Sequence, residues 1–162
     1  MAAALGHSPA DIVIAPDLGA AKLAESYAAV LGLPVAIVHK TRLSGSEVRA
    51  HSVVGDVRGK RPLIVDDMIS TAGTLETAVA ALLDAGCSSP VSIAATPGLL
   101  IGPAVERLRT LPLERLVLTK SVPRRHGELS GLIQEIDAGP LLGEAISRLN
   151  DNRPLADLLV HR

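Results

Sequence analysis

The residues best suited to chemistry in this sequence are two adjacent carboxylates, Asp66 and Asp67, followed by a run of small residues. That run is Ser70, Thr71, Ala72, Gly73 and Thr74. Small side chains let backbone N–H groups approach an anion closely, and the hydroxyl groups add further donors. Carboxylates can accept sugar hydroxyls or hold a hydrated Mg²⁺ ion. Acceptors beside donors indicate a sugar-phosphate site; the alternative is a capped helix with Asp67 as a solvated loop acid.

The elements around these residues would position them for such a role. The apolar run 63–65 predicts a buried strand that ends at Asp66, and residues 73–85 predict a helix capped by Gly86. Open α/β sheets bind ligands at the carboxyl ends of their strands. The N-terminal dipole of the following helix favours an anion at the same place.

The rest of the chain alternates short apolar runs with segments of helical period. Further strands are predicted at 12–15, 35–38, 91–95 and 116–118, with an extended segment at 132–137. Further helices are predicted at 20–31, 103–109 and 140–149. This alternation predicts α/β architecture, with a doubly wound parallel sheet flanked by helices in a single domain over residues 1–162.

Composition excludes several classes of function. Of the 162 residues, 48% are apolar but only Tyr27 is aromatic, and the formal charge is −1. A nucleic-acid partner is therefore not expected, because neither a basic footprint nor stacking aromatics are present. No signal peptide and no membrane partner are expected, since the chain lacks a basic leader and a long apolar run. The single Cys87 indicates a cytoplasmic protein without disulfides.

Two other charged segments carry chemistry of their own. Asp17 follows the first predicted strand and faces the same sheet edge as Asp66, although an Asp closing an ordinary turn is the commoner reading. Lys40 and Arg42 open the polar segment 40–49, which predicts a mobile loop. Two cations there could clamp a transferring diphosphoryl group, whereas the alternative is a solvated basic loop. Downstream, Gly55-Asp56 predicts the turn of a small hairpin.

The run from Ile64 to Thr74 resembles the phosphoribosyl-diphosphate signature of type I phosphoribosyltransferases. It resembles more closely the C-terminal half of ribose-phosphate diphosphokinase, or PRPP synthetase, where PRPP is phosphoribosyl diphosphate. Further segments have counterparts there in the same order, at 15–20, 38–42, 55–60, 102–108 and 136–142. The likeness runs from about Asp11 to Leu159.

This resemblance implies the type I phosphoribosyltransferase fold and a role in nucleotide biosynthesis. It implies that Asp66 and Asp67 orient the ribose of ribose 5-phosphate while residues 70–74 cradle its phosphate. The implied partners are ribose 5-phosphate, PRPP and ATP, together with a homo-oligomer or a partner N-terminal half.

The resemblance also assigns roles to the other charged segments. Asp17, Leu18 and Gly19 would form the diphosphate loop, and Asp17 would help hold Mg²⁺ as the cofactor. Lys40 and Arg42 would be catalytic, stabilising the transferring group.

Four departures from the family pattern stand out. Ser70 replaces an aspartate, Pro97 replaces a histidine, and Ala20 replaces a second glycine, which predicts a tighter or shifted loop. The resembled enzyme also has a first domain, to which no part of this sequence corresponds.

Three functions are therefore open. The chain takes part in Mg·ATP-dependent diphosphoryl transfer to ribose 5-phosphate, or it is a non-catalytic regulatory or assembly homologue. The third is a phosphoribosyltransferase acting on a nucleobase, which the near absence of aromatic residues disfavours.

Overall fold

One seven-stranded sheet carries the other elements of the chain. The computed structural model describes residues 9–43, 48–123, 129 and 131–159, and for residues 40–43, 48–51 and 159 it describes the backbone. The strands are β1 (Ile12–Ala15), β2 (Val35–Leu43), β3 (Val48–Val54), β4 (Pro62–Asp66), β5 (Val91–Pro97), β6 (Leu113–Thr119) and β7 (Ile133–Ile136). The helices are α1 (Ala21–Leu31), α2 (Gly73–Asp84), α3 (Ala104–Thr110), α4 (Gly139–Asn150) and α5 (Ala156–Leu159).

The strand order is β3-β2-β1-β4-β5-β6-β7, and every neighbouring pair is parallel except β2 with antiparallel β3. The order reverses between β1 and β4, whose register aligns Ile12 with Pro62 and Ile14 with Ile64. This confirms the predicted doubly wound parallel sheet flanked by helices. It also creates a switch point, the position at which such sheets bind ligands.

Both faces of the central strands β1, β4 and β5 are buried, which is why these strands are continuously apolar. Ile14 and Ile64 pack on the face covered by α2, in a core rich in leucine and isoleucine. Val13 and Val65 pack on the face covered by α1, in a core that is mostly valine and alanine. Among the described residues, no helix is long and apolar enough to cross a membrane.

The predicted cap of α2 is confirmed. Gly86 adopts φ +84°, the left-handed region that glycine enters without steric cost. The N–H of Gly86 donates to the carbonyl of Leu83, and the N–H of Cys87 donates to that of Leu82, both at 3.0 Å. These two bonds form a Schellman motif, which ends the helix and turns the chain toward β5.

The predicted loop at 40–49 is wrong for the residues that the structure describes. Residues 40–43 extend β2 and pair with β3, from Ile37 opposite Val54 to Leu43 opposite Val48. Polar composition misled the prediction, because a hairpin at a sheet edge can expose both faces and needs no apolar run. The predicted hairpin at Gly55-Asp56 is likewise wrong, since these residues follow β3. A Cβ on Gly55 would lie 2.7 Å from Cβ of Ala36, so close packing requires glycine there.

The packing of α2 on the sheet predicts a large difference between two adjacent leucines. Leu82 is fully buried, whereas Leu83 is 37% exposed. Leu82→Ala should lower the free energy of unfolding by roughly 2–5 kcal/mol because it leaves a cavity, and Leu83→Ala should lower it by less than about 1 kcal/mol. Urea unfolding of both variants measures this. Equal losses would contradict the assignment of the buried face.

Candidate functional site

A pocket of about 240 Å³ lies at the switch point between the ends of β1 and β4. Its lining consists of Asp17, which follows β1, and the continuous run 66–75, which joins β4 to α2. The structure therefore brings together Asp17, both predicted carboxylates and all of residues 70–74. Leu18 and Gly19 lie beside Asp17, exposed and outside the lining.

The loop after β4 is held by the last residue of β5 and the backbone that follows it. Ile69 is buried, its N–H donates to the carbonyl of Pro97 at 3.0 Å, and its carbonyl accepts the N–H of Leu99 at 2.8 Å. The carbonyl of Ser70 accepts the N–H of Ile101 at 3.1 Å. These bonds continue the parallel pairing of β4 with β5, so the loop is anchored on the sheet while its other edge faces the pocket.

The end of the loop presents backbone donors to the pocket. The first bond of α2 runs from the N–H of Glu76 to the carbonyl of Ala72 at 3.0 Å. The N–H groups of Gly73, Thr74 and Leu75 precede that bond and have no partner within the helix. All three residues line the pocket. A helix N-terminus of this kind suits a phosphate, because its amides and its dipole both favour an anion.

The carboxylates differ in their surroundings. Asp66 is half-buried and accepts the N–H of Asp67 on its Oδ1 at 2.9 Å, whereas the side chain of Asp67 is exposed. Burial raises the pKa of the Asp66 carboxyl to about 6, and the negative charges of Asp67 and Asp17 contribute to the increase. A cation or a set of hydroxyl donors at this point would relieve that repulsion.

Asp17 fits both readings of its position. Its Oδ1 accepts the N–H of Ala20 at 3.2 Å, so it does close the turn before α1. It also lines the pocket. A Cβ on Gly19 would lie 3.1 Å from Oδ1 of Asp17, and glycine therefore leaves this carboxylate room. Ala20 adopts φ −86°, which any residue can adopt.

The donor set of the pocket fits Mg²⁺ delivered with a phosphate ligand. In the part of the chain that the structure describes, no three side chains of the Asp, Glu, His or Cys type converge into a ready metal cage. Mg²⁺ rarely uses such a cage, because it keeps several waters and takes one or two carboxylates plus substrate phosphates. Asp17, Asp66 and Asp67 are the carboxylates available at this pocket.

Lys40 and Arg42 lie on the extended part of β2. Ile37 is level with Ala15, the last residue of β1, so the backbone of Lys40 lies three residues farther along, about 10 Å beyond it. Both backbones are thus on the ligand-binding side of the sheet. Their side chains lie outside the described part of the structure, and their catalytic roles stay a prediction.

Sequence reasoning missed one residue that contacts the pocket loop from outside, Arg107 on α3. Its Nη1 donates to the carbonyl of Thr71 at 3.0 Å, and its Nε lies 3.0 Å from Oε2 of Glu76. The contact joins residues 36 positions apart in the chain. No local pattern could reveal it, although the segment 102–108 had a counterpart in the resembled family.

Known proteins match the chain in sequence and in structure. A family model described as phosphoribosyl transferase domain matches residues 6–96. A ribose-phosphate pyrophosphokinase of Bifidobacterium longum is 41% identical over 156 residues, covering 94% of this chain and 46% of its own length. That of Clostridium acetobutylicum is 36% identical over 147 residues, covering 91% and 46%.

A solved structure agrees with these relatives. The crystal structure of phosphoribosylpyrophosphate synthetase from Mycobacterium smegmatis superposes with a TM-score of 0.83 at 34% identity, covering 93% of this chain and 49% of that one. The chain thus spans about half the length of the curated relatives it matches, in their C-terminal part.

The raised pKa of Asp66 predicts a pH-dependent stability difference. The folded protein holds this proton more tightly than the unfolded chain, so ionisation of Asp66 lowers stability as the pH rises from about 4 to about 6. Asp66→Asn removes that loss. Urea unfolding between pH 4 and 8 should show the variant gaining stability over the wild type through this window and keeping the gain above it.

Asp11→Asn is the control of opposite sign. Hydrogen bonds from Arg61 lower the pKa of Asp11 to about 2. The stability from that carboxylate is complete above pH 4 and disappears only as the pH falls toward 2. The Asp11 variant should therefore be less stable by a constant amount between pH 4 and 8. A constant difference for Asp66→Asn as well would refute the assignment of its pKa.

Proposed function

Since the chain belongs to the phosphoribosyl transferase domain family, we propose that it binds ribose 5-phosphate and takes part in diphosphoryl transfer. In this reaction Mg·ATP donates its β,γ-diphosphoryl group to the 1-hydroxyl of ribose 5-phosphate, giving PRPP for nucleotide synthesis in the cytoplasm. The observation that carries the proposal is a pocket that joins three carboxylates to the N-terminus of α2. The relatives named above are ribose-phosphate pyrophosphokinases, which supports the same reaction.

The two halves of the pocket suit the two halves of the sugar phosphate. Asp66 and Asp67 would accept the ribose hydroxyls. The hydroxyls of residues 70, 71 and 74 and the backbone N–H groups at the start of α2 would donate to the 5-phosphate, which carries the charge that a helix N-terminus favours. The ligand would thus be bound at both ends, which fixes the direction of its 1-hydroxyl.

The transfer step needs no covalent intermediate. The 1-hydroxyl oxygen attacks the β-phosphorus of ATP, and the bond from that phosphorus to the α-phosphate oxygen breaks. AMP leaves with that oxygen, and the hydroxyl proton passes to solvent water. Asp17 would help to hold Mg²⁺, which would neutralise the phosphate oxygens when bound. Lys40 and Arg42 would stabilise the negative charge of the transferring group, so that positioning and electrostatics supply the catalysis.

Calorimetric titration with ribose 5-phosphate tests the proposal. We expect saturable binding at or below millimolar ligand, and no comparable binding of ribose, which lacks the phosphate. Asp66→Asn combined with Asp67→Asn should weaken binding by about tenfold or more through loss of charge-assisted hydrogen bonds. Asp84→Asn, at an exposed position in the last turn of α2 and outside the pocket lining, is the charge-matched control and should bind like the wild type. Undetectable binding of ribose 5-phosphate at millimolar ligand would refute the proposal.

We also propose that a separate domain, corresponding to the first half of the relatives, covers α4. Its apolar side chains Leu141, Leu142, Ile146 and Leu149 are between 55% and 68% exposed. Residues 142, 146 and 149 recur at helical spacing and form one stripe, which is typical of a helix that packs on another surface. The relatives contain about as much chain again as the part matched here, enough for one further domain.

Sedimentation of the chain mixed with the first half of the Bifidobacterium longum relative tests this partner. We expect a one-to-one complex, which Ile146→Glu abolishes because it puts a charge on the apolar stripe. Val30→Glu, at an exposed position of α1, should leave the complex intact. The wild-type chain could instead form only homo-oligomers that Ile146→Glu abolishes. In that case a second copy of the chain, and not the partner half, covers α4. No association at all would refute the proposal.

A non-catalytic homologue is the second candidate, and Ser70 favours it. This hydroxyl stands in the pocket where the resembled enzymes carry an aspartate, so one negative charge for ribose or Mg²⁺ is absent. Binding of ribose 5-phosphate without AMP release from Mg·ATP, even with the partner half present, would select this candidate. Nucleobase transfer finds less support, since Tyr27 lies on α1, outside the pocket lining.

A further inference from the structure

Arg107 lies outside the pocket lining but contacts the loop that forms it. From α3, its Nη1 donates to the carbonyl of Thr71 at 3.0 Å, and its Nε lies 3.0 Å from Oε2 of Glu76. We infer that Arg107 is a positioning residue, which turns the backbone N–H of Ala72 toward the 5-phosphate. The inference rests on the proposed function, because it assigns that N–H to the phosphate of ribose 5-phosphate.

The planarity of the peptide bond links the two ends of this contact. In a trans peptide the carbonyl and the N–H point in opposite directions. Arg107 binds the carbonyl of the peptide between Thr71 and Ala72, so the N–H of Ala72 points away from Arg107. Residues 71–73 line the pocket and Arg107 does not. The N–H is therefore on the pocket side, where it adds to the donors at the start of α2.

This peptide orientation has to be held. Ala72 is buried and adopts φ +60° and ψ +11°, a left-handed conformation that costs energy in a residue with a Cβ. Rotation of the peptide would relieve the strain, but it would turn the carbonyl oxygen of Thr71 toward the pocket. A donor to the phosphate would then become an acceptor that repels it. The guanidinium opposes the rotation because it binds that carbonyl.

The shape of the guanidinium matters as well as its charge. Its planar fork contacts the carbonyl of Thr71 and the carboxylate of Glu76 together, whereas a lysine ammonium is a point charge that cannot reproduce the fork. It also packs against the start of α2, since a Cβ on Gly73 would lie 3.3 Å from Nη1. The side chains of Arg107 and Glu76 are 34% and 47% exposed, and ion pairs this exposed contribute little to folding. The main effect of Arg107 is expected on the loop.

Three variants distinguish positioning of the Ala72 N–H from a general effect of positive charge and from an effect on folding. Arg107→Ala removes the contact, Arg107→Lys keeps the charge without the fork, and Arg109→Ala removes an equal charge from an exposed position of the same helix. Calorimetry with ribose 5-phosphate and with inorganic phosphate should give dissociation constants raised about tenfold for Arg107→Ala, the size expected for one lost hydrogen bond to a charged group. Arg107→Lys should bind both ligands about as weakly as Arg107→Ala. Arg109→Ala should have dissociation constants within about twofold of the wild type.

Amide spectra of the full chain give a second readout. In ¹H–¹⁵N spectra, added phosphate should shift the Ala72 and Gly73 signals of the wild type and of Arg109→Ala, and should leave the Ala72 signal of Arg107→Ala and Arg107→Lys nearly unmoved. A residue that only stabilised the fold would change the melting temperature without selecting these two amides. If Arg107→Ala does not fold, the dissociation constants and the Ala72 signal of Arg107→Lys test the inference instead.

The outcomes separate this inference from the function on which it rests. If the wild type binds ribose 5-phosphate and Arg107→Ala binds equally well, the inference is wrong and the proposed function stands. Full rescue by Arg107→Lys would also overturn it, because charge alone would then account for the effect. If the wild type binds neither ribose 5-phosphate nor phosphate, both the proposed function and the inference fail.

Discussion

The parallel pairing of β1 with β4 is the contact on which the site depends. Its register sets Ile14 opposite Ile64. Asp17 lies three residues after Ile14, and Asp67 lies three residues after Ile64. The chain then leaves the two strands toward opposite faces, to α1 from β1 and to α2 from β4. A crevice opens where neighbouring connections diverge, and here it collects carboxylates from one strand end and amide donors from the other.

The electrostatics of this crevice follow from its construction. Three carboxylates line the pocket and one of them is half-buried, so desolvation together with repulsion from the other two raises the pKa of Asp66. The opposite wall is the positive end of a helix dipole. A ligand with both hydroxyl donors and an anionic group satisfies each wall, whereas a simple anion or a simple cation satisfies only one of them.

Sequence patterns predicted most of this arrangement because most of it is local. Continuous apolar runs located the buried strands, and the residues from Asp66 to Thr74 fall in the pocket as a single segment. The extension of β2 through Lys40 was not predicted, because an edge hairpin tolerates polar residues that also suit a loop. Arg107 was missed since its contact with Thr71 depends on how α3 packs beside α2, which no spacing along the chain encodes.

The two faces of the sheet differ in side-chain size, and this has a consequence for how the protein can vary. The fully buried residues of the face under α1 are mostly alanine and valine, including Ala24 and Ala28 on the helix itself. The face under α2 is filled by larger side chains such as Leu75 and Leu82. Selection should therefore act against different kinds of substitution on the two faces. Added volume is rejected under α1 and lost volume under α2, although both layers support the same ligand pocket.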